Sequence, residues 1–177
     1  MQNMFNTGAQ MSSPADMIGY KKGDSDFSRG WGGYVVTDVG INPKGEEFCE
    51  KDITVNQGQA LSLQSHDHRR ELWTVTKGVL TVVLDGQRLT LNAGESVNIA
   101  VGGIHCMANL SDDVCVVHEV QEGVCREDDI HRFRDMYGRP AEVSDAPNVV
   151  SSLKIYDEIL ASIGHKPALA ASPANKP

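Results

Sequence analysis

The sequence is short of positive charge. Sixteen Lys and Arg stand against 24 Asp and Glu, a formal net charge of −8. A general nucleic-acid binder needs a basic face, so that class is excluded, whereas an anionic small molecule needs only a few local arginines. No apolar run approaches bilayer length. The opening MQNMFNTGAQMSSPADMIGY lacks the basic start and apolar core of a secretory signal. None of the four cysteines (Cys49, Cys106, Cys115, Cys125) forms a CxxC pair. A cytoplasmic protein with free thiols and no membrane partner is expected. No internal repeat is visible.

What is present is enough apolar sequence for one well-filled core: 40% hydrophobic residues in 177. Residues 1–26 are polar and read as a flexible arm. From Tyr34 to Gln121, short alternating runs are broken by Gly, Asp and Asn: YVVTD, FCEKDITV, ALSLQSH, LWTVTKG, VLTVVLDG, QRLTL, SVNIA and DVCVVHEVQ. Asp85-Gly86 marks a tight hairpin, because such turns need positive φ. The pattern predicts an all-β sandwich or barrel over residues 27–140. EDDIHRFRDMYGR, 127–139, suits one helical turn or an ordered loop. Val149, Leu153, Tyr156, Leu160 and Ile163 then fall at helical spacing, with Asp145 and Pro147 as starting residues and Gly164 as a stop. This helix is expected to pack on the barrel or a second subunit. The Pro/Ala-rich end of segment 141–177 reads as a disordered tail.

The stretch LSLQSHDHRRELW, 61–73, carries the chemistry. Read as one strand, it puts Leu61 and Leu63 on one face and Ser62, Gln64, His66 and His68 on the other. Two imidazoles on one inward face are neighbours at chelating distance, and on an outward face they are ordinary polar residues. Glu71 shares its face with Trp73 and Val75, which makes sense where something positive compensates the carboxylate. His105 follows a Gly-rich turn. Three His and one Glu form a mixed N/O set suited to a divalent Zn, Mn, Fe, Co or Ni ion. His118, His131 and His165 have no such company and read as ordinary histidines.

These residues resemble the two motifs of the cupin superfamily: His66, His68, Glu71 and Gly78 in the first, Gly94, Gly102, His105 and Asn109 in the second, with Ala100 where a proline is usual. The resemblance implies a single cupin β-barrel holding one metal ion on His66, His68, Glu71 and His105. WGGYVVTD, VNQGQALSLQSHDHRRELW and EVQEGVCREDDIHRFRDMYGR further resemble the C-terminal domain of type II mannose-6-phosphate isomerases, a cupin often fused behind a mannose-1-phosphate guanylyltransferase domain. The EDDI…YGR ending is the most specific part. The sequence departs from that pattern at Gly30 and Gln57 (usually Pro), Leu72 (usually His) and Cys106 (usually Arg). Leu72 and Cys106 are expected to alter substrate contacts near the metal. No guanylyltransferase activity is expected.

The resemblance implies interconversion of mannose 6-phosphate and fructose 6-phosphate through an enediol. That reaction needs a base within reach of a carbon-bound proton and a cationic clamp for phosphate. Glu119 is the candidate base, with an orienting role for a ligand histidine as its alternative. Arg139, in the terminal Tyr-Gly-Arg, matches the position credited with activity in the family. Gln64, Arg69 and Arg132 are the candidate substrate-binding residues. A metal-dependent cupin dioxygenase and a non-catalytic sugar-binding cupin are the competing readings. A homodimer paired through sheet edges is expected.

Overall fold

The computed structural model describes residues 18–164. The tail and most of the arm therefore lie outside the described residues. Strands come in the order β1 (Ser25–Arg29), β2 (Gly32–Ile41), β3 (Glu47–Val55), β4 (Gln59–Ala60), β5 (Leu63–Ser65) and β6 (Arg69–Lys77). They continue with β7 (Val79–Leu84), β8 (Gln87–Asn92), β9 (Ser96–Ile99), β10 (His105–Asn109), β11 (Cys115–Gly123) and β12 (His131–Arg134). One helix, α1 (Pro147–Ser162), follows.

Two antiparallel sheets face each other. The first runs β1-β2-β3-β11-β6-β9, the second β12-β5-β10-β7-β8 with β4 also on β10. Alternation builds the core between them. Ile53, Val55, Trp73, Val75 and Val117 from the first sheet meet Leu80, Val82 and Met107 from the second. At the β7–β8 hairpin both Asp85 (φ 46°) and Gly86 (φ 77°) adopt positive φ, as the sequence predicts.

Helix α1 begins with Pro147 at its first turn, and Gly164, just past its end, has φ 77°. It buries Val149, Tyr156, Ile159 and Leu160 on the outer face of the second sheet, against Leu63, Val83, Cys106 and Ala108. The Tyr156 hydroxyl donates to the Leu61 carbonyl at 3.0 Å. The helix thus closes a second core on the barrel's outside.

Three sequence expectations need correction. ALSLQSH is two short strands, β4 and β5, and the chain leaves β5 at Ser65. Segment 127–139 is not only a turn: after one 3-10 turn at Glu127–Asp129 it adds β12 to the edge of the second sheet beside β5. The described part of the arm also packs. Ile18 and Tyr20 are buried against Val36, Cys49 and Cys125, and Ser25 already belongs to β1. All four cysteines are free and buried.

Ile159→Ala empties a fully buried position and is expected to cost about 2–5 kcal/mol in urea unfolding. Val143→Ala, at a fully exposed position, should leave the midpoint unchanged.

Candidate metal centre

Inside the barrel, His66, Glu71 and His105 bring one ligand atom each within 4.8 Å of one another. Glu71 comes from β6, His105 from the start of β10, and His66 from the residue after β5. His66 and His105 are 1% exposed and Glu71 4%. His66 Nε2 is 3.3 Å from Glu71 Oε1, and His105 Nε2 is 3.7 Å from Glu71 Oε2.

Both imidazoles are held the same way. His66 Nδ1 is 2.9 Å from the Asp129 carbonyl, and His105 Nδ1 is 2.9 Å from the Gly103 carbonyl. A carbonyl only accepts, so each Nδ1 carries the proton and each Nε2 turns a lone pair inward. That is the orienting contact seen on metal-ligating histidines. His105 Nε2 is buried with no hydrogen-bond partner among the described residues. Such an orphaned acceptor is costly unless something binds it. Donor types, spacing and the free lone pair fit a divalent ion.

The electrostatics agree. Burial alone would raise the Glu71 carboxyl, but His66, His105 and Arg69 hold it well below its usual value. Burial lowers His105 to about 4, which keeps the imidazole neutral and able to ligate. Trp73 Nε1 donates to Glu71 Oε2 at 3.0 Å. Arg69 Nε donates to Glu71 Oε1 at 2.9 Å, and its NH2 group to His66 Nε2 at 2.7 Å. A metal ion held by His66 would use the lone pair that this guanidinium now fills. Arg69 is therefore placed against the ligand cluster, at the edge of the cavity it shares with Arg29, Arg132 and Arg139.

His68 does not join the cluster. Its side chain is 67% exposed, with Nδ1 3.0 Å from Asp129 Oδ1. The cause is local: the chain bends over residues 67–68, so strand alternation stops applying after Ser65. Gln64, still within β5, stands directly across from His105 on β10. It lies two residues before His66 and lines the cavity beside the cluster. Asp129, in the EDDI run, was not foreseen. Its backbone orients His66 while its carboxylate holds the outward His68.

Glu119 and Gln121 point inward from β11. The Gln121 amide donates to Glu119 at 2.7 Å and to Glu71 at 3.2 Å, linking them in one chain. Burial, then the charge of Glu71, pushes the Glu119 carboxyl well above its ordinary value. Further along the cavity are Arg29, Arg132 and Arg139. Arg29 and Arg139 pair with Asp26 and Asp135, each at 2.7 Å. Arg132 forms no ion pair among the described residues, and its Nε is buried without a partner. Sequence reasoning missed Arg29 and also Lys51, which reaches this cavity from β3.

The two departures expected to touch substrate point elsewhere. His105 faces the cavity, so Cys106 faces out and packs under α1. Glu71 faces in, so Leu72 faces out and is 37% exposed.

The fold agrees with comparisons to known proteins. The family model described as "Mannose-6-phosphate isomerase C-terminal" matches residues 20–135, more than half of the chain. The mannose-1-phosphate guanylyltransferase ManC of Salmonella typhimurium is 39% identical over 112 residues, 63% of this chain and 22% of that protein. The alginate biosynthesis protein AlgA of Pseudomonas aeruginosa is 40% identical over 115 residues, 64% of this chain and 23% of that one. The chain thus spans under a quarter of the length of these relatives. Among solved structures, an RmlC-like cupin from Shewanella frigidimarina superposes with a TM-score of 0.50 at 18% identity, covering 60% of this chain and 88% of that one. That likeness is one of fold. The cupin barrel and the matched segment together establish that this chain belongs to the mannose-6-phosphate isomerase C-terminal family.

Proposed function

We propose that the chain is a metal-dependent aldose–ketose isomerase acting on mannose 6-phosphate and fructose 6-phosphate. The observation that carries the reading is one cavity with two ends. One end carries Arg69 and Gln121, which hydrogen-bond into the His66, Glu71 and His105 cluster behind them, with an inward carboxyl, Glu119, beside them. The other holds the unpaired guanidinium of Arg132. A sugar phosphate has a carbonyl to activate, a carbon-bound proton to move and a dianion to anchor, and this cavity offers a group for each.

The metal set in this reading is His66, Glu71 and His105 with the Gln64 amide. A bound divalent ion would polarise the carbonyl as a Lewis acid. Glu119 exchanges the proton between C2 and C1, and its link to Glu71 through Gln121 fixes its direction. Arg132 takes the phosphate by paired N–H donors, with Arg139 held beside it by Asp135. The Arg132–Arg139 proximity lowers the Arg132 pKa after burial does, as expected of two cations awaiting an anion. We place the protein in the cytoplasm as a homodimer using the sheet edges at β1 or β9. Among the described residues no helix is long and apolar enough to cross a membrane.

The test is turnover of mannose 6-phosphate by chelator-treated protein reloaded with Mn, Co, Zn, Ni or Fe in turn. Turnover under at least one metal is expected, and none under any loading overturns the reading. His66→Ala and His105→Ala should lose tight metal binding in a chelator competition, by about 100-fold or more. His68→Ala, outside the cluster, should hold metal within about threefold of the parent chain. Arg132→Met should raise KM by about 10- to 100-fold, as expected for loss of a charge-assisted phosphate contact.

A further inference from the structure

We propose that Lys51 is a catalytic residue of this cavity, whose ammonium meets the reacting carbonyl oxygen and stabilises the negative charge that builds there as the C2 proton leaves. The proposal rests on the isomerase reading above and adds a residue that neither the motifs nor the arginine-rich ending includes.

The evidence begins with a buried cation lacking a counter-ion. Lys51 is 6% exposed and lies on the inward face of β3. Its Nζ sits 3.9 Å from the centroid of the Tyr20 ring and 5.4 Å from that of Tyr34. Among the described residues no carboxylate comes within ion-pair distance of it. The nearby acids are committed elsewhere: Glu127 accepts the Tyr20 hydroxyl, and Glu119 is bonded by Gln121. A ring face compensates an ammonium only in part, and a buried charge without a counter-ion is costly. Such an arrangement is accounted for where a ligand brings the anion.

Register decides which end of the ligand. Lys51 is the direct cross-strand partner of Glu119, and Glu119 of Trp73, while Gln121 stands opposite Glu71 in the adjacent row. Lys51 therefore flanks the proton-carrying carboxyl and lies in the sheet that supplies Glu71. Arg132 and Arg139 come from β12 and the loop after it, by the other sheet. The phosphate has its anchors there, which leaves the ammonium for the reacting end.

The step balances without a further reactant. Once ionised, the Glu119 carboxylate takes the proton from C2, and the C2–H electron pair becomes the C1–C2 double bond. The carbonyl π pair moves onto O1, facing the Lys51 ammonium, which keeps its protons and donates a hydrogen bond. The hydroxyl proton passes from O2 to O1, the C2–O bond becomes the ketone, and Glu119 returns its proton to C1. A donor fixed in a dry cavity where charge develops acts without reorganising at that moment.

Lys51→Met in the full chain, loaded with the metal that supports turnover, tests this. The expected result is a kcat lower by about 100- to 1000-fold. Affinity for mannitol 6-phosphate, which keeps the phosphate and lacks the carbonyl, should stay within about threefold by calorimetry. Lys51→Arg should recover part of the loss, since it restores the charge. Lys51→Gln repeats the comparison if the Met variant does not fold. Three results overturn the proposal: kcat unchanged in the variant; an equal loss of mannitol 6-phosphate affinity, which would make Lys51 a phosphate anchor; or a kcat loss matched by a lowered melting temperature and lost near-UV signal, which would make it a structural partner of Tyr20. Absence of turnover in the parent chain under every metal would overturn the isomerase reading, and this proposal with it. Parent turnover retained in Lys51→Met overturns the proposal alone.

Discussion

The Glu71 carboxylate, shut away from water in the middle of a β-barrel, is the constraint on which the rest of the site depends. An ionised carboxylate there costs several kcal/mol unless cations and donors surround it. The surrounding groups come from four places in the chain. Arg69 lies two residues earlier on the same strand, Trp73 two residues later, Gln121 across on β11, and His66 and His105 opposite on the second sheet. The two histidines are held by carbonyls further out: His66 by that of Asp129, His105 by that of Gly103. The polar interior is thus a connected network, and connected networks in a low dielectric reinforce their members. His105 Nε2 is the point where that network stays open.

Sheet geometry converts this network into a site with direction. Because β6, β11 and β3 are neighbours in register, every second residue of each faces the cavity, and the facing residues form rows. One row joins Glu71 to Gln121, the next Trp73 to Glu119 to Lys51. Glu119, the proposed proton carrier, and the Lys51 ammonium are therefore one strand separation apart, about 5 Å, with Glu71 in the adjacent row. Rigid strands fix such spacings better than loops do, which suits chemistry that depends on small distances. The arginines arrive differently. Arg132 is on an edge strand and Arg139 follows a turn held by Asp135, so the end proposed to take phosphate is the more adaptable one.

Much of this was legible in the sequence, for reasons that also explain the failures. Period-two alternation gave most strands, the Asp-Gly hairpin and the inward direction of Glu71, Glu119 and Gln121. The helix was readable because Pro147 and Gly164 bracket a clean 3.6-residue pattern. His68 was misplaced because alternation was carried past the point where the strand ends; nothing in SHDH marks the bend at 67–68, and the buried polar residue is Arg69 instead. Strand β12 was hidden because a charged edge strand has no apolar alternation to display. Ile18 and Tyr20 looked like part of an arm because burial of two residues in a polar run depends on partners, Cys49 and Cys125, distant in sequence. Lys51 reads as surface charge in EKDITV until Glu119 is seen to face it.

The same alternation settles what the departures from the family pattern mean. Positions 72 and 106 each directly follow or precede a cavity residue and therefore face away from it. At Leu72 the change falls on the barrel's outer surface, where it is 37% exposed and cannot reach the ligand cluster. At Cys106 the change has a structural partner. Helix α1, at 147–162, lies beyond the family match at 20–135, and it packs directly over this position. An arginine there would have to bury its guanidinium beneath Val149 and Tyr156, at a cost of several kcal/mol without a counter-ion. A small thiol whose Sγ–H finds the Leu61 carbonyl at 3.2 Å fits instead. The helix and Cys106 thus fit one another on the outside of the second sheet.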